Sequence, residues 1–99
     1  MAKQIVWTSK AKKELREILE YWINRNKSTV FSKKLNKLIN EQFHLILEFP
    51  EIGRKTDILN VNIKVIHKYL VYYEMTDQTL NVLTIRHGSK NPETLQIKQ

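Results

Sequence analysis

The side chains best suited to chemistry lie in the second half of the sequence: Lys64, His67, Lys68, Tyr69, Tyr73, Glu74, Arg86, His87 and Lys90. The reaction they suit is metal-independent cleavage of RNA. That reaction needs a base for the 2′-hydroxyl proton, cations for the charged phosphorane and an acid for the leaving oxygen. Glu74 or a histidine would be the base, lysines and arginines the clamps, and His87 or a tyrosine the acid. Alternation along a strand tests the idea. In an unbulged strand His67, Tyr69, Val71 and Tyr73 share one face, whereas Lys68, Leu70, Tyr72 and Glu74 share the other. Glu74 then points away from His67, and the set splits. The tyrosines are equally good strand formers, and Glu74 can simply pair with Lys68 at a surface. Arg86-His87, at the exposed end of a strand, is the best-placed pair.

Other chemistries find less support. With only two glycines, a Gly-rich phosphate loop is excluded. His44, His67 and His87 lack metal-ligand spacing, and no nucleophile elbow supports Ser-His-Asp catalysis. The absence of cysteine rules out disulfides and thiolate metal sites and suits a reducing cytoplasm. No metal and no cofactor is expected. No apolar run has signal-peptide or membrane-spanning length, so a cytoplasmic chain without membrane contact is expected.

The elements that position these residues follow from periodicity. Gln4–Thr8 is β-branched and aromatic and predicts a strand. Thr8 or Ser9 can cap a helix in which Ala11, Leu15, Ile18, Leu19, Trp22 and Ile23 form one apolar face. The run 24–28 breaks it, and Ser28 is a candidate cap for a second helix. There Phe31, Leu35, Leu38, Gln42, Leu45 and Phe49 keep a helical rhythm, with Ile39 and Ile46 widening the stripe. Gln42 interrupts that stripe and marks either an edge or a position that meets a partner. Pro50 and Gly53 end the helix. The period then falls to two over Val61, Ile63 and Val65, over Tyr69 to Met75, and over Leu80 to Arg86. Asp77-Gln78 is a turn signal. Residues 1–99 thus read as one α+β domain of order β-α-α-β-β-β, an antiparallel sheet packed on a two-helix hairpin.

Charge is unevenly spread over the 99 residues. Residues 1–40 carry ten Lys and Arg against three Glu, whereas residues 41–99 carry seven of each sign, so the whole net charge of +7 lies in the first 40. Such a field attracts nucleic acid or an acidic protein segment.

The order of motifs resembles the ParE/RelE superfamily of bacterial toxins. Val6-Trp7-Thr8, then Ala11, Leu15, Ile18, Leu19, Tyr21 and Ile23, is similar to the family's opening strand and helix. Phe49-Pro50-Glu51-Ile52-Gly53-Arg54 resembles its P-x-I-G-R punctuation, and Tyr69-Leu70-Val71-Tyr72-Tyr73 its third-strand pattern. The stretch from Val82 to Pro92 resembles the closing V-L-x-(V/I)-x-H-x-x-R-x-P.

The resemblance implies a co-expressed antitoxin, with an extended and often acidic segment that wraps the basic helical hairpin. Tyr21, Arg25, Lys33, Lys37 and Gln42 are the antitoxin-binding residues expected on this basis. Arg54, Lys64, Arg86, His87 and Lys90 are those expected to carry toxicity. The superfamily implies two activities, cleavage of ribosome-bound mRNA by RelE-like members and inhibition of DNA gyrase by ParE-like members. The RelE-like set includes second-strand lysines, an arginine after the third-strand tyrosine, and an arginine and a tyrosine near the end. Here Lys64 fits one lysine but Asn62 stands at another; Leu70 follows Tyr69, Lys90 replaces the late arginine, and no tyrosine follows Tyr73. The ParE-like pattern is nearer, although Asn62 falls near a frequent arginine and Lys90-Asn91 replaces Arg-Asp. A non-enzymatic gyrase inhibitor is therefore the first expectation. A nuclease using Lys64, Arg86, His87 and Lys90 is the second. A non-toxic chain that still binds antitoxin is the third.

Overall fold

A computed structural model describes residues 4–88. Its elements are β1 (Gln4–Trp7), α1 (Ser9–Asn26), α2 (Val30–Glu48), a 3-10 turn (Pro50–Ile52), β2 (Arg54–Lys55), β3 (Val61–Ile66), β4 (Tyr69–Met75) and β5 (Thr79–His87). Lys90 and Asn91 lie outside the described residues.

Helix α1 begins after Thr8, whose own backbone is extended at φ −66° and ψ 160°. The Thr8 hydroxyl accepts from the Ala11 amide at 3.1 Å and donates to the Leu83 carbonyl at 3.1 Å, so one side chain caps the helix and ties it to β5. The helix runs to Asn26, and Lys27 ends it in the left-handed region at φ 55°. Thr29, without a side-chain hydrogen bond, is the N-cap of α2; Ser28 instead accepts from the Val30 amide at 3.2 Å.

Helix α2 buries Leu35, Ile39, Phe43 and Ile46, successive positions four, four and three apart. The buried face is therefore rotated from the expected stripe. Phe43 lies at its centre, Gln42 is half-buried beside it, and Leu45 and Phe49 are exposed. Trp7 meets Phe43 edge-on, ring centres 5.2 Å apart. Where the helices touch, the buried Ser32 hydroxyl donates to the Leu19 carbonyl at 3.1 Å, which satisfies it.

The sheet has the order β1-β5-β4-β3-β2. The α+β class is as expected, with two differences of detail: β2 adds a short fifth strand, and β1 runs parallel to β5, making the sheet mixed. The long stretch from α1 to β4 between β1 and β5 supplies the crossover that a parallel pair requires. Strands β3 and β4 pair from Val61↔Glu74 to Ile66↔Tyr69. Between β4 and β5 the register slips at Tyr72/Tyr73, leaving Leu83 without a partner. This bulge puts Val82 and Ile85, three apart in sequence, on the same face, beside Tyr73 and Val71.

The core of the sheet comes from Ile66, Tyr69, Val71, Tyr73, Leu80, Val82 and Ile85. Directly paired residues share a face, so Asn62 and Lys64 accompany Tyr73 and Val71, while Val65 accompanies Leu70. The apolar alternation of β3 thus lies mainly on the face away from the helices, and Val65 is exposed.

Tyr73 is fully buried, and its ring ends against Gly53. The Gly53 backbone approaches the hydroxyl without completing a hydrogen bond. Burial pushes the hydroxyl above its ordinary value of 10.0, and the approach of Gly53 offsets part of that rise.

Candidate functional site

Helix α1 lies along the end of β5 that β1 leaves uncovered. β1 pairs only with Thr79 to Val82, so the amides beyond the bulge need another acceptor. Glu14 supplies it. Its carboxylate accepts from the Thr84 hydroxyl at 2.6 Å and from the Ile85 amide at 3.2 Å. Further along, α1 and the ends of β4 and β5 diverge into a cleft of about 540 Å³.

One wall of this cleft is the α1 face bearing Glu17, Ile18, Tyr21, Trp22 and Arg25; the other is formed by Lys68, Tyr69, Ile85, Arg86 and His87. Trp22 joins the two walls, because its indole nitrogen donates to the Tyr69 hydroxyl at 2.7 Å. Aromatic rings continue on both sides. Tyr21 meets Trp22 at 5.2 Å between centres, Trp22 meets Phe31 at 4.7 Å, and Tyr69 meets His87 at 5.7 Å. His67 bridges Phe31 and Tyr69 at 5.3 and 6.4 Å. It does so from the turn between β3 and β4, where its φ is 57°, and not from a strand as alternation had it.

The residues expected from sequence divide unevenly over this geometry. Tyr21 and Arg25, expected to meet an antitoxin, line the same cleft as Arg86 and His87, expected to carry toxicity. Lys33 and Lys37 are exposed on the first half of α2. Arg54 is exposed on β2, paired with Ile63. Lys64 is half-buried and outside the cleft; it shares a rung with Val71 and Ile85, whereas Arg86 shares one with Leu70. Alternation sends Lys64 and Arg86 to opposite faces. The nuclease set Lys64, Arg86, His87 and Lys90 is therefore represented in the cleft by Arg86 and His87 alone among the described residues.

Glu74 is remote from these groups. It pairs with Val61 and Asn81 at the far end of β4, and Asn81 donates to its carboxylate at 3.5 Å. A base at Glu74 and the histidines thus do not meet. Among the described residues no group of three or more His, Asp or Glu comes together as a metal site, and no helix is long and apolar enough to cross a membrane.

Glu14, Glu17, Trp22, Lys68 and Tyr69 also belong to the cleft. On α1 the spacing of Glu14, Glu17, Tyr21 and Arg25, at three, four and four, is one helical stripe of polar and aromatic residues next to the apolar face. That stripe is the signal that marks the wall.

Comparison with known proteins agrees with the architecture. A solved structure of the chromosomal ParDE toxin–antitoxin system from P. aeruginosa superposes with a TM-score of 0.72 at 17% identity, covering 87% of this chain and 96% of that one. At this identity the likeness concerns the fold. A search of curated proteins finds no match. The family model described as the ParE toxin of the type II toxin–antitoxin system parDE matches residues 5–92, nearly the entire sequence. The chain belongs to the ParE toxin family of type II toxin–antitoxin systems.

Proposed function

We propose that this chain is a toxin that inhibits DNA gyrase without catalysing a reaction, and that a cognate antitoxin neutralises it in the cytoplasm. Family membership supports the toxin reading. The observation that favours gyrase inhibition over RNA cleavage is the dispersal of the nuclease candidates: Lys64 and Arg86 face opposite sides of the sheet, and Glu74 lies at the far end of β4. General acid–base cleavage needs its groups within hydrogen-bond reach of one phosphate.

Neutralisation by an acidic segment is supported by the exposed cations on the helices. Arg25 stands in the last turn of α1, and Lys33 and Lys37 stand on α2. An extended chain carrying Asp and Glu would gain from each of these without a preformed pocket.

The deciding experiment is induction of the protein in cells, following the SOS response and plasmid supercoiling beside mRNA integrity. DNA damage and altered supercoiling, with intact transcripts in the first minutes, are expected. Rapid codon-linked mRNA cleavage without DNA damage would refute the gyrase reading and favour the nuclease. Growth unaffected by either route would leave a chain that binds antitoxin only.

A further inference from the structure

The cleft between α1 and the ends of β4 and β5 is unevenly charged along its helical wall. Glu14 and Glu17 lie towards one end of its helical wall and Arg25 at the other, Glu17 eight residues or about 12 Å from Arg25 along the axis; Glu17 and Arg25 are exposed, and Arg86 and His87 line the facing strand wall. Lys68, also exposed, faces Arg25's wall from the β3–β4 turn. The side chains of Glu17, Arg25 and Lys68 make no hydrogen bond or ion pair among the described residues. Between the charged ends lie the rings of Tyr21, Trp22 and Tyr69, and Trp22 and Tyr69 are fixed to each other by their hydrogen bond.

An exposed ring at Tyr21 beside the fixed Trp22–Tyr69 pair, between separated charges, favours a planar ligand that carries an anion at one end and hydrogen-bond donors at the other. Stacking suits the plane, the cations suit a phosphate, and a carboxylate accepts from the ring N–H and amino groups of a base. The volume of about 540 Å³ lies in the range of small-molecule sites. An acidic peptide would meet Arg25 and Lys68 but would also set its carboxylates against Glu17. We propose that this cleft binds a nucleoside phosphate, its base stacked on Tyr21 and edge-on to Trp22, which stands nearly perpendicular to Tyr21, its phosphate held by Arg25 and Lys68.

The same chemistry belongs to a free nucleotide and to the 5′ end of a single strand. The site requires neither gyrase nor ribosome, so its test is independent of the activity. The full-length protein is titrated with AMP while the indole N–H resonances of Trp7 and Trp22 are followed by NMR, Trp7→Phe serving to assign them. A saturable shift of the Trp22 resonance, with Trp7 unmoved, is expected. Arg25→Ala and Lys68→Ala, both at exposed positions, should each weaken binding about tenfold. A 5′-phosphorylated trinucleotide that binds more tightly than AMP would identify a strand end as the source, and equal binding a free nucleotide. Three results would overturn the site: no shift with AMP, an equal shift with inorganic phosphate, or a shift with a polyglutamate peptide alone.

Discussion

The Tyr73 hydroxyl occupies the space a side chain at Gly53 would need. A Cβ built on Gly53 overlaps that oxygen and lies 2.9 Å from the Tyr73 Cζ and 3.1 Å from the Ile63 carbonyl. Gly53 is at φ −83°, open to any residue, so its requirement is close packing and not backbone shape. Gly53→Ala should therefore destabilise by about 1–3 kcal/mol, the usual range for overpacking a filled interior. Chemical denaturation checks this, and Tyr73→Phe in the same chain should recover part of the loss by removing the overlapping oxygen. An unchanged denaturation midpoint for Gly53→Ala would contradict the packing.

Tyr73→Phe alone tests the other side of that contact. The hydroxyl is buried without a hydrogen-bond partner, so its removal should cost less than about 1 kcal/mol, or stabilise. The pH dependence has a definite sign. Because burial raises the folded-state value above 10.0, the folded protein holds this proton more tightly than the unfolded chain. Stability from this group is full below pH 10 and falls as pH rises from there towards the folded value. The difference in unfolding free energy between the native protein and Tyr73→Phe should be flat to pH 9 and then move in favour of the variant.

Glu14 offers a test of the β5 edge. It accepts from the Thr84 hydroxyl and the Ile85 amide, so Glu14→Ala leaves two buried donors without an acceptor. A loss of roughly 2–4 kcal/mol is expected, from two donors at 1–3 kcal/mol each with some relaxation. Glu14→Gln keeps an acceptor oxygen and should lose less. Faster amide exchange at Ile85 in the Ala variant would place the effect at this edge rather than in general unfolding.

The helical cations and the strand-end pair should separate genetically. Lys33→Glu with Lys37→Glu reverses charge at exposed positions and should leave the melting temperature within a few degrees. Antitoxin affinity should fall by an order of magnitude or more at low salt, and less at high salt. Arg86→Ala with His87→Ala should abolish growth inhibition while the antitoxin still binds through α2. Full killing by the second variant would remove the pair from the toxic surface. Undiminished antitoxin binding by the first would do the same for the lysines.

Much of the architecture was legible because each helix and strand carries its own period. Leu15, Ile18, Leu19 and Trp22 do pack against the core, and Tyr69 to Met75 is a strand. Alternation, however, says which residues share a face without saying which face is covered. Val65 belongs to an apolar alternation yet looks away from the helices, while Lys64 lies on the helix side. The bulge at Leu83 was equally hidden, since nothing local in Val82-Leu83-Thr84 announces it; its cause is a slip against β4. The cleft needed both walls, and Glu14 lies 70 residues from Thr84. Arg86 and His87 were singled out from a strand end and Tyr69 as a strand former or candidate acid, whereas Trp22 read only as part of an apolar helical face, although its indole donates across the gap to Tyr69.

The parallel pairing of β1 with β5 also fixes when this molecule can exist. Gln4 lies beside Thr79 and Trp7 beside Val82, and the Thr8 hydroxyl that starts α1 is held by the Leu83 carbonyl. During synthesis the opening strand has no neighbour until the closing one has left the ribosome. The helices can form earlier, but their cover over β5 cannot. Such a polypeptide cannot complete its sheet until the strand Thr79–His87 has been made and has left the ribosome.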